Sequence, residues 1–181
     1  EHPRVVFSTG GLYEGGQPTD QETPNTQYAT FQYADGVALH CDVRGWYTEE
    51  SDSGLYIYGS DGWMRIADGK VDVYVGRKNE PGPKIGSTDE DGNGGGSAPA
   101  RRDRHMENFI DCIRSRKWQD LNAEILEGHM STSLCHLGNI SHRVRRSVVF
   151  DSTTERFVDD AEADKLLSRV YRPPFAVPST V

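Results

Sequence analysis

The residue types able to ligate a metal or move a proton gather most densely in one segment, which carries His129, Cys135, His136 and His142. A bound ion needs at least three such groups converging at bonding distance. His129 and His136 stand seven positions apart, on one side of a helix but about two turns distant, too far to share an ion. These four residues are therefore read as surface or packing histidines with a free thiol, and no metal ligand is assigned. Asp89-x-Asp91-x-Asn93-Gly94 matches the first half of a calcium loop, yet its twelfth position is Ala100 instead of a bidentate glutamate. It reads as an ordinary acidic loop.

Other catalytic patterns are missing. There is no Gly-x-Ser-x-Gly elbow, and Ser87 and Ser97 have no base nearby in sequence. The glycine run Gly92 to Gly96 does not join a strand to a helix start, as a dinucleotide fingerprint must. Carboxylate pairs such as Glu49 with Glu50 and Asp159 with Asp160 carry nothing that would select one member as acid and the other as base. Arg44-Gly45-Trp46-Tyr47 sets aromatic rings beside a cation at a strand end, a combination that stacks on a sugar ring and binds its hydroxyls, and Tyr13 follows a glycine pair in the same sense. No residue is assigned a catalytic role.

Two helical patterns must position these groups. Met106, Phe109, Ile110 and Ile113 recur at i, i+3, i+4 and i+7, predicting a buried helix face. From Glu127 to Arg146 the same spacing places Met130, Leu134, Leu137, Ile140 and Val144 on one stripe, beside the small residues Gly128, Ser131, Cys135 and Gly138, which would admit a closely packed neighbour. Arg143, Arg145 and Arg146 close that helix, where cations suit the dipole. Ser147 to Phe150 is expected to return as a strand, and Asp159-Asp160 to open a third helix through Leu166, Leu167 and Val170.

Before Arg101 the periodicity is two. Val5 to Phe7 is a short strand-like run, and Tyr28 to Tyr33, Val37 to Arg44, Leu55 to Gly59, Trp63 to Ile66 and Lys70 to Val75 follow, with Asp35-Gly36, Asp61-Gly62 and Asp68-Gly69 as turns, predicting one antiparallel meander of about five strands. Residues 76–100 lose all periodicity and read as a flexible loop. The fold class expected is α+β: a mostly antiparallel open sheet covered on one face by two or three helices. A single domain over residues 1–181 follows from the length.

The net charge of −8 argues against general nucleic-acid binding, which depends on Lys and Arg neutralising phosphates. No apolar run approaches the ~20 residues that span a bilayer. Cys41, Cys112 and Cys135 are too few and too irregular for a disulfide framework, and buried free thiols are expected. The start at Glu1-His2-Pro3-Arg4-Val5 reads as a cut into a longer chain.

Several segments together, in order, resemble the C-terminal half of the Gfo/Idh/MocA family of NAD(P)-dependent sugar oxidoreductases, in its bacterial branch. They are Glu22-Thr23-Pro24-Asn25-Thr26, Tyr58-Gly59-Ser60-Asp61-Gly62, His105-x-x-Asn108-Phe109-Ile110-Asp111-Cys112-Ile113-Arg114, Glu127-Gly128-His129, Leu134 to Ser141, Asp160 to Leu167, and Tyr171-Arg172-x-Pro174-Phe175. The resemblance implies a substrate-binding and oligomerisation domain whose partner is an N-terminal Rossmann domain. The family's glycine fingerprint and catalytic lysine would lie before Glu1, so this chain binds no cofactor itself and is not active alone, while its parent uses NAD or NADP. Carbohydrate is the implied substrate, with Tyr13, Arg44, Trp46 and His105 as contacts chosen from their chemistry and their places at strand or helix ends. The open sheet face carrying Tyr28, Thr30, Gln32, His40, Asp42 and Arg44 is the expected homo-oligomer contact. Other functions stay in view: a glycan- or protein-binding module, or part of an NAD-dependent glycoside hydrolase. A cytoplasmic parent is expected, or a periplasmic one if an export signal precedes Glu1.

Overall fold

The computed structural model describes residues 1–13, 20–45, 54–67, 70–84 and 98–177, with side chains from residue 105 onward in the last stretch. The Asp89–Gly94 loop, the glycine run, Ser87, Ser97, Trp46, Tyr47, Glu49, Glu50 and Asp68-Gly69 lie outside the described residues. The chain divides into two compact units, Glu1–Tyr47 with Ile125–Val181, and Thr48–Glu124.

The first unit is built on strands β1 (Val5–Gly11), β2 (Thr26–Gln32), β3 (Ala38–Arg44), β8 (Val148–Asp151) and β9 (Arg156–Phe157), in the antiparallel order β3-β2-β1-β8-β9. The turn between β2 and β3 is the Asp35-Gly36 turn expected. Gly36 takes φ +90°, which a side chain would oppose, and Asp35 Oδ1 accepts the Val37 N–H at 3.0 Å. Register puts Val6, Ala29 and Phe31 on the inner face, with Val148 opposite Val6. Helix α2 (Ile125–Val144) lies on that face and contributes Leu137 and Ile140; Phe150, Phe157 and Ala163 complete the core. Each large apolar side chain so buried stabilises by about 1.5–3 kcal/mol.

The second unit holds a separate antiparallel sheet, β4 (Leu55–Tyr58), β5 (Gly62–Ala67), β6 (Lys70–Val75) and β7 (Glu80–Pro81), together with helix α1 (Ala98–Ser115). One meander was expected; two sheets form. Asp-Gly turns report that neighbouring strands pair, but they carry no information on whether one hairpin joins the next. β7 also gives strand structure inside the segment expected to be a loop. Asn108 of α1 clamps the following chain: its side-chain amide donates to Asp120 O at 2.9 Å, and its Oδ1 accepts the Asn122 N–H at 2.9 Å.

Three expectations of burial need correction. Met106, Phe109, Ile110 and Ile113 of α1 all remain 40–54% exposed, so periodicity reported an amphipathic helix whose apolar stripe is not buried. β3 is an edge strand, and Val43 on its nominal inner face is exposed, because α2 lies against β1 at the middle of the sheet. Of the three thiols only Cys112 is buried, and all are free. The third helix is also shorter than expected: α3 (Ala161–Asp164) is capped by the Asp160 carboxylate accepting the Ala163 N–H, then passes into a 3-10 turn ending at Leu167. Val170 lies beyond it and is fully exposed. No helix among the described residues is long and apolar enough to cross a membrane.

β1 and α2 are joined by a buried polar contact. Ser141, with no exposed surface, accepts the Ser8 N–H on its Oγ at 3.0 Å, and that hydroxyl lies 2.8 Å from Arg146 O and 3.3 Å from Val6 O. Ser141→Ala orphans the Ser8 N–H in the core, at a cost of about 1–3 kcal/mol. Urea unfolding should show a lower midpoint with an unchanged slope, and an unchanged midpoint would remove Ser141 from this role.

Two glycines should respond in opposite directions. A Cβ on Gly10 would stand 2.3 Å from Thr26 O, whereas Gly128 on α2 has nothing within 4 Å. Gly10→Ala should destabilise by about 1–3 kcal/mol, and Gly128→Ala should stabilise by about 0.5–1 kcal/mol. Thermal melts of the two variants check both signs.

Candidate functional site

β1 is paired to β8 only at Val5 and Val6. Beyond Val6 this edge of β1 has no strand partner among the described residues, and a cleft of about 540 Å³ opens along it. The cleft is lined by Phe7 to Gly11 together with His142 and Arg145 from the C-terminal end of α2. Arg145 takes φ +57°, the left-handed conformation that ends the helix, and its N–H donates to His142 O at 3.2 Å. The cleft thus combines a partnerless strand edge with one imidazole and one guanidinium. Such a set suits a small oxygen-rich molecule, with the cation favouring any carboxylate or hydroxyl it carries.

The floor beside it is polar and satisfied. Gln27 donates through Nε2 to Ser8 Oγ at 2.9 Å and to Asn139 Oδ1 at 3.3 Å, linking β2, β1 and α2. Tyr13 lies next to Gly11: a Cβ there would come 3.1 Å from the tyrosine ring, so the missing side chain is what admits it. Asn25 holds the Tyr13 backbone from both sides, accepting its N–H at 3.1 Å and donating to its carbonyl at 3.2 Å.

Of the residues expected to contact substrate, Tyr13 and Arg44 come to the same end of the first unit's sheet, since Gly11 pairs with Thr26 and Thr26 with Arg44. Arg44 is already engaged by Asp42, with Nε 3.1 Å from Oδ2, and its hydrogen bonds hold the Asp42 carboxyl below the usual carboxylate range. His105 is exposed on α1, in the second unit. Trp46 lies outside the described residues. Sequence reading placed His142 among possible ligands and Arg145 in a helix-end cluster, and it missed that both face one cleft. The available signal was weak: helix register shows that the two are close, but not that a strand edge lies opposite.

The histidines and thiol of α2 do not gather. His129 instead meets two residues remote in sequence: its Nε2 lies 2.8 Å from Glu155 Oε1, and the same oxygen lies 3.0 Å from His2 Nε2. His2 is buried, its ring edge-on to Phe150 at 5.5 Å, and its Nδ1 has no hydrogen-bond partner among the described residues. Hydrogen bonds from His129, then His2, pull the Glu155 carboxyl below its ordinary range. No spacing rule could have exposed this triad, since Glu155 is 153 positions from His2 and 26 from His129.

The second unit carries a feature of another kind. Tyr58 and Trp63, then Trp63 and Tyr74, are directly opposed across β4, β5 and β6, with rings nearly parallel and centroids 6.2 and 4.4 Å apart. Trp63 Nε1 donates to Asn79 Oδ1 at 3.0 Å. These are stacked cross-strand pairs that stabilise a small sheet.

Against known proteins, residues 97–177 match the family described as "Oxidoreductase family, C-terminal alpha/beta domain". Comparison with curated proteins gives no sequence match. Among solved structures, the chain is similar to a putative oxidoreductase from Thermotoga maritima, with 14% identity and a TM-score of 0.57, over 82% of this chain and 41% of that one. It is also similar to an oxidoreductase from Agrobacterium radiobacter solved with NAD+, L-tartaric acid and magnesium, with 13% identity and a TM-score of 0.55, over 82% of this chain and 43% of that one. At such identities the likeness concerns the fold, and the chain spans less than half the length of either protein. Mixed helices and antiparallel open sheets define an α+β fold. Over residues 97–177 the chain is thus similar to the C-terminal α/β domain of the Gfo/Idh/MocA oxidoreductase family.

The Glu155 shift has a readable consequence. A carboxyl whose folded pKa is depressed contributes stability above its unfolded pKa and loses it as pH falls through the folded value. Unfolding midpoints should therefore drop on acidification below about pH 4, and Glu155→Gln should make that acid limb shallower. An identical acid limb in the variant would show that the triad does not couple to folding.

Proposed function

We propose that this chain is the substrate-side and dimerisation domain of an NAD(P)-dependent oxidoreductase acting on a sugar or polyol, working with an N-terminal dinucleotide-binding domain. The observation that carries the reading is the family match, joined to a polar cleft at the free edge of β1. Among the described residues the element that follows the glycine pair ending β1 is strand β2, so no described helix N-terminus follows it to meet a pyrophosphate. In this reading the nicotinamide belongs to the other domain. When bound there, it supplies hydride transfer.

This chain's share is orientation. Arg145 and His142 hold substrate oxygens, the bare backbone at Gly10 and Gly11 lets the ligand approach closely, and Tyr13 offers a ring face beside them. Dimerisation uses the outer face of the first unit's sheet, where Phe7, Tyr28 and Val149 keep 39–46% of their surface exposed beside Thr30, His40 and Asp42. Tyr28 and His40 stack there, and Thr30 Oγ1 meets His40 Nδ1 at 3.1 Å, so much of that face is already ordered.

The protein carrying this chain beside a dinucleotide-binding domain should reduce NAD+ or NADP+ with some member of a monosaccharide and polyol panel, read from nicotinamide absorbance. Arg145→Ala should raise KM about tenfold or more with kcat little changed, as expected when a charge-assisted hydrogen bond of on the order of 1.5–3 kcal/mol is lost from ground and transition states alike. Glycosidic cleavage without net nicotinamide reduction would replace this reading with the hydrolase one, and an unchanged KM would move the substrate away from the β1 cleft. Light scattering should give twice the chain mass, and a monomer at high concentration would remove the dimer.

A further inference from the structure

We propose that His2, His129 and Glu155 form a binding site for a divalent transition cation of the zinc type, at the opposite end of β1 from the cleft and independent of the oxidoreductase reading. His142 stands thirteen positions after His129, about 20 Å along α2, so the two places are distinct.

The three donor atoms, Nε2 of each histidine and Oε1 of the glutamate, all lie within 4.8 Å of one another. Zinc at about 2.0–2.1 Å from nitrogen or oxygen needs tetrahedral donors about 3.3 Å apart. Oε1, now 2.8 and 3.0 Å from the two nitrogens, has to retreat by a few tenths of an ångström. Glu155 stands on an exposed turn and can do so, while buried His2 keeps its place. Two imidazoles and one carboxylate are the donor set of zinc and its neighbours; magnesium and calcium require oxygen throughout. The glutamate and His129 are each nearly half exposed, so an ion can reach the site, and water can take the fourth position.

The donors are also held before any ion arrives. His2 is fixed by its contact with Phe150 and by the fully buried Pro3 that follows. Glu155 keeps φ +50°, a conformation that costs an ordinary side chain energy, in a turn braced by Asp151, which accepts the Thr153 N–H at 2.9 Å and the Thr154 hydroxyl at 2.7 Å. Because the ligands come from the segment before β1, from α2 and from the β8–β9 turn, the ion would tie three separate stretches together, and its binding energy would add to folding energy.

The test is zinc titration of the full chain after chelator treatment, by calorimetry and by competition with a chromophoric chelator, with magnesium as the control. We expect one zinc per chain, no response to magnesium, and a melting temperature raised by about 5–10 °C at a hundredfold excess over Kd. His129→Ala and Glu155→Gln, both at half-exposed positions, should weaken zinc by more than the ~10–100-fold that loss of an outer-shell partner costs, while His136→Ala on the same helix should leave it unchanged. Cobalt(II) in place of zinc should give the intense visible bands of a tetrahedral site, a readout on the unmutated chain. Absence of zinc binding, or binding that survives both ligand substitutions or falls with His136→Ala, overturns the site and leaves a hydrogen-bonded triad.

Discussion

The Ser141 hydroxyl is the point on which the first unit's architecture turns. β8 leaves β1 after two residue pairs, and from there the next inward N–H, that of Ser8, would be left without a partner in the core. A helix supplies that partner. Because α2 must come close enough for its Oγ to reach β1, Leu137 and Ile140 are driven onto Val6 and Phe31, and the helix's last turn is carried alongside the open strand edge. The cleft with His142 and Arg145 is thus a by-product of how one backbone donor is satisfied.

Polar groups inside this core are tolerable because they are connected. Gln27 spans Ser8 and Asn139, and Ser141 reaches the carbonyl that follows the helix end. A network in which each member has a partner fixes the lateral position of the helix more sharply than apolar contact alone, which permits sliding. The same logic operates at the helix end: Arg146 pairs with Asp160 at 2.7 Å, and Asp160 also caps α3, so the chain leaving α2 is steered back over β9.

The small-residue stripe on α2 shows how a pattern can be right in kind and displaced in detail. Gly138 does face the sheet, with Phe31 and Ala29 at ordinary contact distance from where a Cβ would be, yet Gly128 faces open space and Cys135 is exposed. Close approach happens one turn later, at Ser141. Helical spacing identifies which residues share a side, but on α2 only the later part of that side, Leu137, Gly138, Ile140 and Ser141, is buried.

Local chemistry determined much on its own. Period-two alternation and Asp35-Gly36 specified the β2–β3 hairpin, 3.6-residue periodicity specified α1 and α2, Asp160 marked the start of α3, and an ordered set of motifs pointed to the oxidoreductase family. These are features in which the deciding interactions lie within a few residues along the chain. What the sequence could not decide was which hairpins share a sheet, that the apolar stripe of α1 stays exposed, that β1 has a free edge, and that His2, His129 and Glu155 meet. Each of these depends on residues brought together from far apart by burial of a common core, and burial is non-directional: it rewards apolar contact without naming the partner. The partner is chosen only when backbone donors such as the Ser8 N–H must also be satisfied, and that condition exists only in the assembled fold.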